Sequence, residues 1–167
     1  MRLARPLGLL TLLLGAIAAV PAFADCTDSA ARGVDWRRCR MDRRVLQGVD
    51  LTGAHLRDAT FDRADLSGSV LDRVDAFRAK FISAIMKKAR LEEARLAEAD
   101  LTKADLSDAV LRGADLRRAR LFRAILKGAD LTGALITGAD LFNADLSGAI
   151  WVDGRKRCAD GSLGLCK

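Results

Sequence analysis

Tyrosine is absent from this 167-residue chain, and histidine occurs once, at His55. A single imidazole excludes metal sites that need several histidines. It also leaves a histidine-dependent hydrolase without a recognisable nucleophile elbow or an orienting partner. Proline is confined to Pro6 and Pro21, so beyond residue 21 no pyrrolidine ring interrupts a regular backbone. Aromatic residues make up 5% of the chain, whereas 50% is apolar and 30% charged. That balance excludes a disordered chain, and the length suits one domain. Only one long apolar run exists, from Leu7 to Val20, and it is too short to span a bilayer comfortably.

Arg2 and Arg5 precede this run, and Ala22-Phe23-Ala24 follows it. A basic start, a short apolar stretch and an A-x-A site predict a secretory signal over residues 1–24, cleaved before Asp25. A lipoprotein signal would need a small residue before Cys26, where Asp25 stands. The mature chain is thus expected in a periplasm or outside the cell, with no membrane span left after cleavage. Removing residues 1–24 takes two of the 28 basic residues and no acid, leaving 26 against 22. From 45 to 152 the balance is 16 basic to 16 acidic. The excess charge therefore belongs to the ends, at Arg37, Arg38, Arg40, Arg43 and Arg44 and at Arg155, Lys156 and Arg157. A neutral body gives little ground for expecting nucleic acid as a partner.

The four cysteines also lie outside the body. In an oxidising compartment an even count reads as disulfides. Three pairings are possible; Cys26–Cys39 with Cys158–Cys166 is favoured because each would staple one end. A buried free thiol at Cys39 is the alternative. Four thiols without a close pair spacing make a poor zinc set, and no cofactor is expected.

Large apolar residues occur at every fifth position from Leu46 to Trp151. Sixteen of these 22 positions hold Leu; the others are Phe61, Ala76, Phe81, Met86, Ile136 and Trp151. Two residues before these lies Ala in 18 of the 22 cases, with Arg44, Val49, Ser69 and Val74 as the exceptions. On an α-helix, steps of five would spiral the leucines around every side. On a flat strand, an odd step would alternate their faces. They share one interior only if the chain turns once per pentad, with Leu66, Leu91, Leu106, Leu111 and Leu126 in the core. Glycine is frequent two positions after the Leu, as at Gly48, Gly68 and Gly128, which suits a turn.

Charge sets the number of pentads per circuit. Stacked coils lie about 4.8 Å apart, where like charges repel and opposite charges attract. Among residues just before each Leu, from Asp50 to Ile150, a separation of 20 gives five opposite pairs and no like pair: Asp75–Arg95, Arg95–Asp115, Lys80–Asp100, Asp100–Arg120 and Arg120–Asp140. Separations of 15 and 25 each give five like pairs against four opposite ones. Four pentads per coil follow: an all-β square solenoid of about five to six coils over residues 45–152. Its ends would expose unpaired backbone, so residues 25–44 and 153–167 are expected to form disulfide-bearing caps.

Runs such as Ala64-Asp65-Leu66-Ser67-Gly68, Ala129-Asp130-Leu131-Thr132-Gly133 and Ala144-Asp145-Leu146-Ser147-Gly148 resemble the pentapeptide-repeat family, whose consensus is A-[DN]-L-x-x. The resemblance implies a right-handed quadrilateral β-helix with four pentapeptides per coil. Some members are acidic, dimeric DNA mimics that bind type II topoisomerases. Here that role is disfavoured by the export signal and the neutral body, since mimicry needs a strongly negative face. The family brings no catalytic residues.

Asp65, Asp105 and Asp145 share a column and read as a solvated wall rather than a cation site, which would need several oxygens converging on one point. His55 reads as a surface residue. Ala76 is small for its core position, and Phe61 and Phe81 in the adjacent column compensate for its volume. The functional candidate lies outside, where the column Ile82, Thr102, Phe122, Phe142 is flanked by Arg63, Lys103 and Arg123. Phe122 and Phe142 should stack as neighbours, forming an interaction patch. The alternative is a half-buried pair under the neighbouring wall. The sequence thus points to a non-enzymatic exported module with an unidentified protein partner, or self-association through an outer wall.

Overall fold

The computed structural model describes residues 26–167, so the signal sequence expected over 1–24 lies outside the described residues. Parallel bridges join each residue before a core position to the one 20 further on, from Asp35↔His55 to Asp130↔Ile150. The 20-residue register read from charge is therefore the register of the backbone. Each wall contributes one bridge position per pentad rather than a continuous strand. The ladder reaches upstream to Asp35, inside the segment expected as the N-terminal cap.

A single pentad shows why the chain folds this way. Ala109 N donates to Leu106 O at 3.0 Å, closing a tight turn. Leu106 N donates upward to Ile125 O at 2.7 Å, and Asp105 N donates downward to Ala84 O at 2.9 Å. Backbone groups thus pair with the coils above and below, which satisfies them while the walls stay close. The second turn residue sits at positive φ, as at Gly68 (66°) and Lys88 (56°), the sign pattern of a type II turn.

The interior is a continuous apolar column. Leu66, Leu91, Leu106, Leu111 and Leu126 are fully buried. Phe61 and Phe81 stack 5.1 Å apart beside the buried Ala76, in keeping with the expected volume compensation. Ser69 replaces the usual Ala, and its buried hydroxyl donates to Leu46 O.

The two ends differ. Cys26 is bonded to Cys39 and Cys158 to Cys166, with no free cysteine among the described residues. At the C-terminal end the chain turns back and pairs antiparallel, Ile150 with Arg157 and Asp145 with Leu163. Cys158 N donates to Ala149 O and Leu146 N to Ser162 O. This tail pairs with the walls at 144–151, and its Gly164 lies against the backbone of Leu141, Phe142 and Asn143. The amides of Ile136, Gly138, Leu141 and Asn143 have no hydrogen-bond partner among the described residues, and Ile136 and Leu141 are only partly buried. The last coil is therefore left without backbone pairing along two of its walls.

Candidate functional site: the Phe122–Phe142 wall

The turn that carries the candidate patch presents two side chains per coil to solvent. Stacking is fixed by the backbone: Arg43 N donates to Asp62 O, Arg63 N to Ile82 O, Ser83 N to Thr102 O, Lys103 N to Phe122 O and Arg123 N to Phe142 O. One column therefore reads Asp42, Asp62, Ile82, Thr102, Phe122, Phe142. Its neighbour reads Arg43, Arg63, Ser83, Lys103, Arg123, Asn143.

All six patch residues expected from sequence fall on this wall. The Phe122 and Phe142 rings lie 6.0 Å apart with an 8° interplanar angle. Phe142 is 64% exposed and Phe122 half-buried. Phe142 tops its column; Gly164 of the tail lies beside its backbone, and the side chain stays exposed. The Arg123 guanidinium lies 5.1 Å from the Phe122 ring centre, a cation–π distance. Ile82 stands two coils below Phe122, with Thr102 between them. At the lower end, Arg40, Asp42, Arg43, Asp62, Arg63 and Ile82 help line a shallow groove of about 530 Å³.

Asp65, Asp105 and Asp145 do more than solvate a wall. Each accepts the amide and hydroxyl of the Ser two residues later; for Asp105 the distances are 3.1 and 2.6 Å to Ser107. The hydroxyl of Ser67, with Gln47, holds the Asp65 carboxyl below its ordinary pKa. For Asp105 burial pushes upward, but the Ser107 bonds and Lys87 outweigh it, and the net direction is down. These aspartates are turn caps. Among the described residues no group of three or more His, Cys, Asp or Glu is placed to hold a metal ion. His55 is exposed between Asp35 and Asp75 in its column.

Sequence reasoning missed a second aromatic contact. On another wall Phe77 lies under Arg57 and Arg78, at 5.1 and 6.0 Å from its ring centre. The 20-residue spacing of Arg57 and Phe77 was the available signal.

Stacked pentads joined by parallel bridges define a β-solenoid. The pentapeptide-repeat model matches residues 45–75, 77–113 and 114–150 in eight copies, and the chain belongs to that family. It is similar to the crystal structure of HetL, a pentapeptide repeat protein involved in heterocyst differentiation regulation from the cyanobacterium Nostoc sp. strain PCC 7120. Identity is 32% over 73% of this chain and 70% of that one, with a TM-score of 0.45. It is also similar to the pentapeptide repeat protein Rfr23 from the cyanobacterium Cyanothece 51142, at 28% identity over 66% and 85% of the two chains, TM-score 0.45. A pentapeptide repeat protein from the Arabidopsis thaliana thylakoid lumen matches at 29% identity over 74% and 84%, TM-score 0.33. No curated protein matches the sequence significantly.

Proposed function

We propose that this protein is a non-enzymatic, exported binding rod that docks a protein partner on the wall carrying Phe122 and Phe142. One observation carries the reading: a stacked aromatic pair whose outer member is 64% exposed, on a rigid wall, beside Arg123. Exposed aromatics next to arginine are the residue types that anchor protein interfaces. Export rests on the signal-like residues 1–24; the two end disulfides support it, because such bonds persist in oxidising compartments. No helix among the described residues is long and apolar enough to cross a membrane. The same reading takes the solenoid as right-handed, with five to six coils between Leu46 and Trp151.

The test is in-cell photocrosslinking from position 122, in the native chain and in Phe142→Ser. A discrete adduct that disappears in Phe142→Ser is the expected result, and its mass separates a second copy from another protein. No adduct, or one indifferent to Phe142→Ser, contradicts the proposal.

A further inference from the structure

We infer that the partner's contacting segment is an extended acidic peptide carrying apolar side chains, bound along the Arg43–Arg63–Ser83–Lys103–Arg123 column. The inference rests on the docking wall proposed above. Four cations occupy this corner column, and among the described residues none has a carboxylate within 4.0 Å. Arg43 sits directly below Arg63, and Lys103 directly below Arg123. Like charges on neighbouring coils, about 4.8 Å apart, repel. The other three corner columns avoid this. One alternates Asp58, Arg78, Glu98 and Arg118, with Arg78–Asp58 and Arg118–Glu98 both at 3.7 Å; another carries Arg73 and Glu93, and the third Lys88 and Asp108. In this corner column alone no acid alternates with the cations, which leaves them open to complementary charge from outside.

Three observations choose the occupant. A second copy fits poorly: its corner columns mix acids with cations, and the carboxylates of its acid-only column, Asp65, Asp105 and Asp145, are already taken by Ser67, Ser107 and Ser147 and, for the last two, by Lys87 and Lys127. A uniformly charged polyanion does not fit either. Asp42 and Asp62 share the lower groove with Arg43 and Arg63, and their carboxylates accept the Asp62 and Ile82 amides, so their negative charge is fixed in place against a continuous anionic strand. Discrete carboxylates meet the cations while avoiding these two acids. Phe142 and Ile82, finally, require apolar groups between the acids. Arginine and lysine supply charge-assisted bonds to carboxylate, and the exposed Phe142 ring supplies the apolar contact.

The probe is a fluorescein-labelled dodecapeptide of four Asp-Glu-Leu repeats, titrated into the full disulfide-bonded protein. The test variant is Lys103→Glu with Arg123→Glu. Glu93 and Glu98 occupy equivalent turn positions at φ 56° and 59°, so glutamate fits this backbone. Lys88→Glu, on another wall, is the control. The peptide should bind saturably, weaken as salt rises, and lose about tenfold or more in affinity in the double variant, with less than about a twofold change in Lys88→Glu. Absence of saturable binding overturns the inference. So does equal loss in both variants, or tighter binding of a dodecameric oligo(dT), which would mark a nucleic-acid groove. An adduct from position 122 with no peptide binding would sink only the acidic chemistry; failure of both would sink the docking wall as well.

Discussion

The carboxylate of Asp105 accepts both the amide and the hydroxyl of Ser107, at 3.1 and 2.6 Å, so one side chain closes the first half of a turn. The same bond recurs at Asp130 with Thr132 and at Asp145 with Ser147. It gives a physical reason for an Asp before the core Leu and a Ser or Thr after it: the amide after the Leu is left over by the ladder, and the carboxylate takes it. Asp105→Ala should therefore cost about 1–2 kcal/mol of stability, the cost of leaving that amide unpaired. Asp140, exposed and bonded only to the Phe142 amide, should cost less on the same substitution. Denaturant unfolding of the two variants gives the comparison.

Acid should weaken the fold. The carboxyls of Asp65, Asp105, Asp115, Asp130 and Asp145 are all held below their ordinary value. A depressed pKa means that the folded state binds the proton less readily than the unfolded chain. The stabilisation is fully present above the ordinary carboxylate pKa of about 4, and is lost as pH falls from there through the depressed values. Melting temperature should be flat from pH 7 to about 5 and fall below about 4. Asp105→Asn with Asp145→Asn should flatten that fall; an unchanged slope would count against the caps.

Backbone shape, rather than burial, should govern the exposed corners. Lys88 is exposed yet sits at φ 56°. Lys88→Val should cost about 1–2 kcal/mol, because a β-branched residue is strained there. Lys88→Gly should be within about 0.5 kcal/mol of the native protein, since relief of strain offsets the added freedom of the unfolded chain. Thermal melts of the pair test the turn assignment without touching the core.

The period of five, the inward leucines and the four-pentad circuit were legible in the sequence, because each follows from periodicity or charge sign; the disulfide pairing found was the one favoured among three, since each bond staples one end. The individual ion pairs were not. Of the five pairs used to find the register, Arg95–Asp75 and Arg120–Asp100 come within 4 Å, whereas Asp105 and Asp130 pair diagonally with Lys87 and Arg112, 18 residues away. A long side chain reaches across the turn as easily as up the column, and sequence spacing does not choose between them. The unpaired amides between 136 and 143 were illegible too, because they depend on where the tail beyond Trp151 runs back.

Reducing the disulfides should loosen the ends first. Cys26–Cys39 and Cys158–Cys166 close loops of 13 and 8 residues, and short loops of this kind contribute roughly 2–3 kcal/mol each. Amide exchange should accelerate at 33–41 and 144–164 while Leu91–Leu116 stays protected. The amides of Ile136 and Leu141 should exchange quickly even when oxidised, because no partner holds them.

Docking on the Phe122–Phe142 wall, as proposed, means that one wall of four does the binding. Positions 112, 117, 122 and 127 are successive turn residues, one on each wall. A photocrosslinking amino acid placed at each in turn, in the native cell, separates the four walls. A discrete adduct from 122 and none from 112, 117 or 127 is the expected result. Equal adducts from all four positions, or an adduct only from another wall, would contradict it.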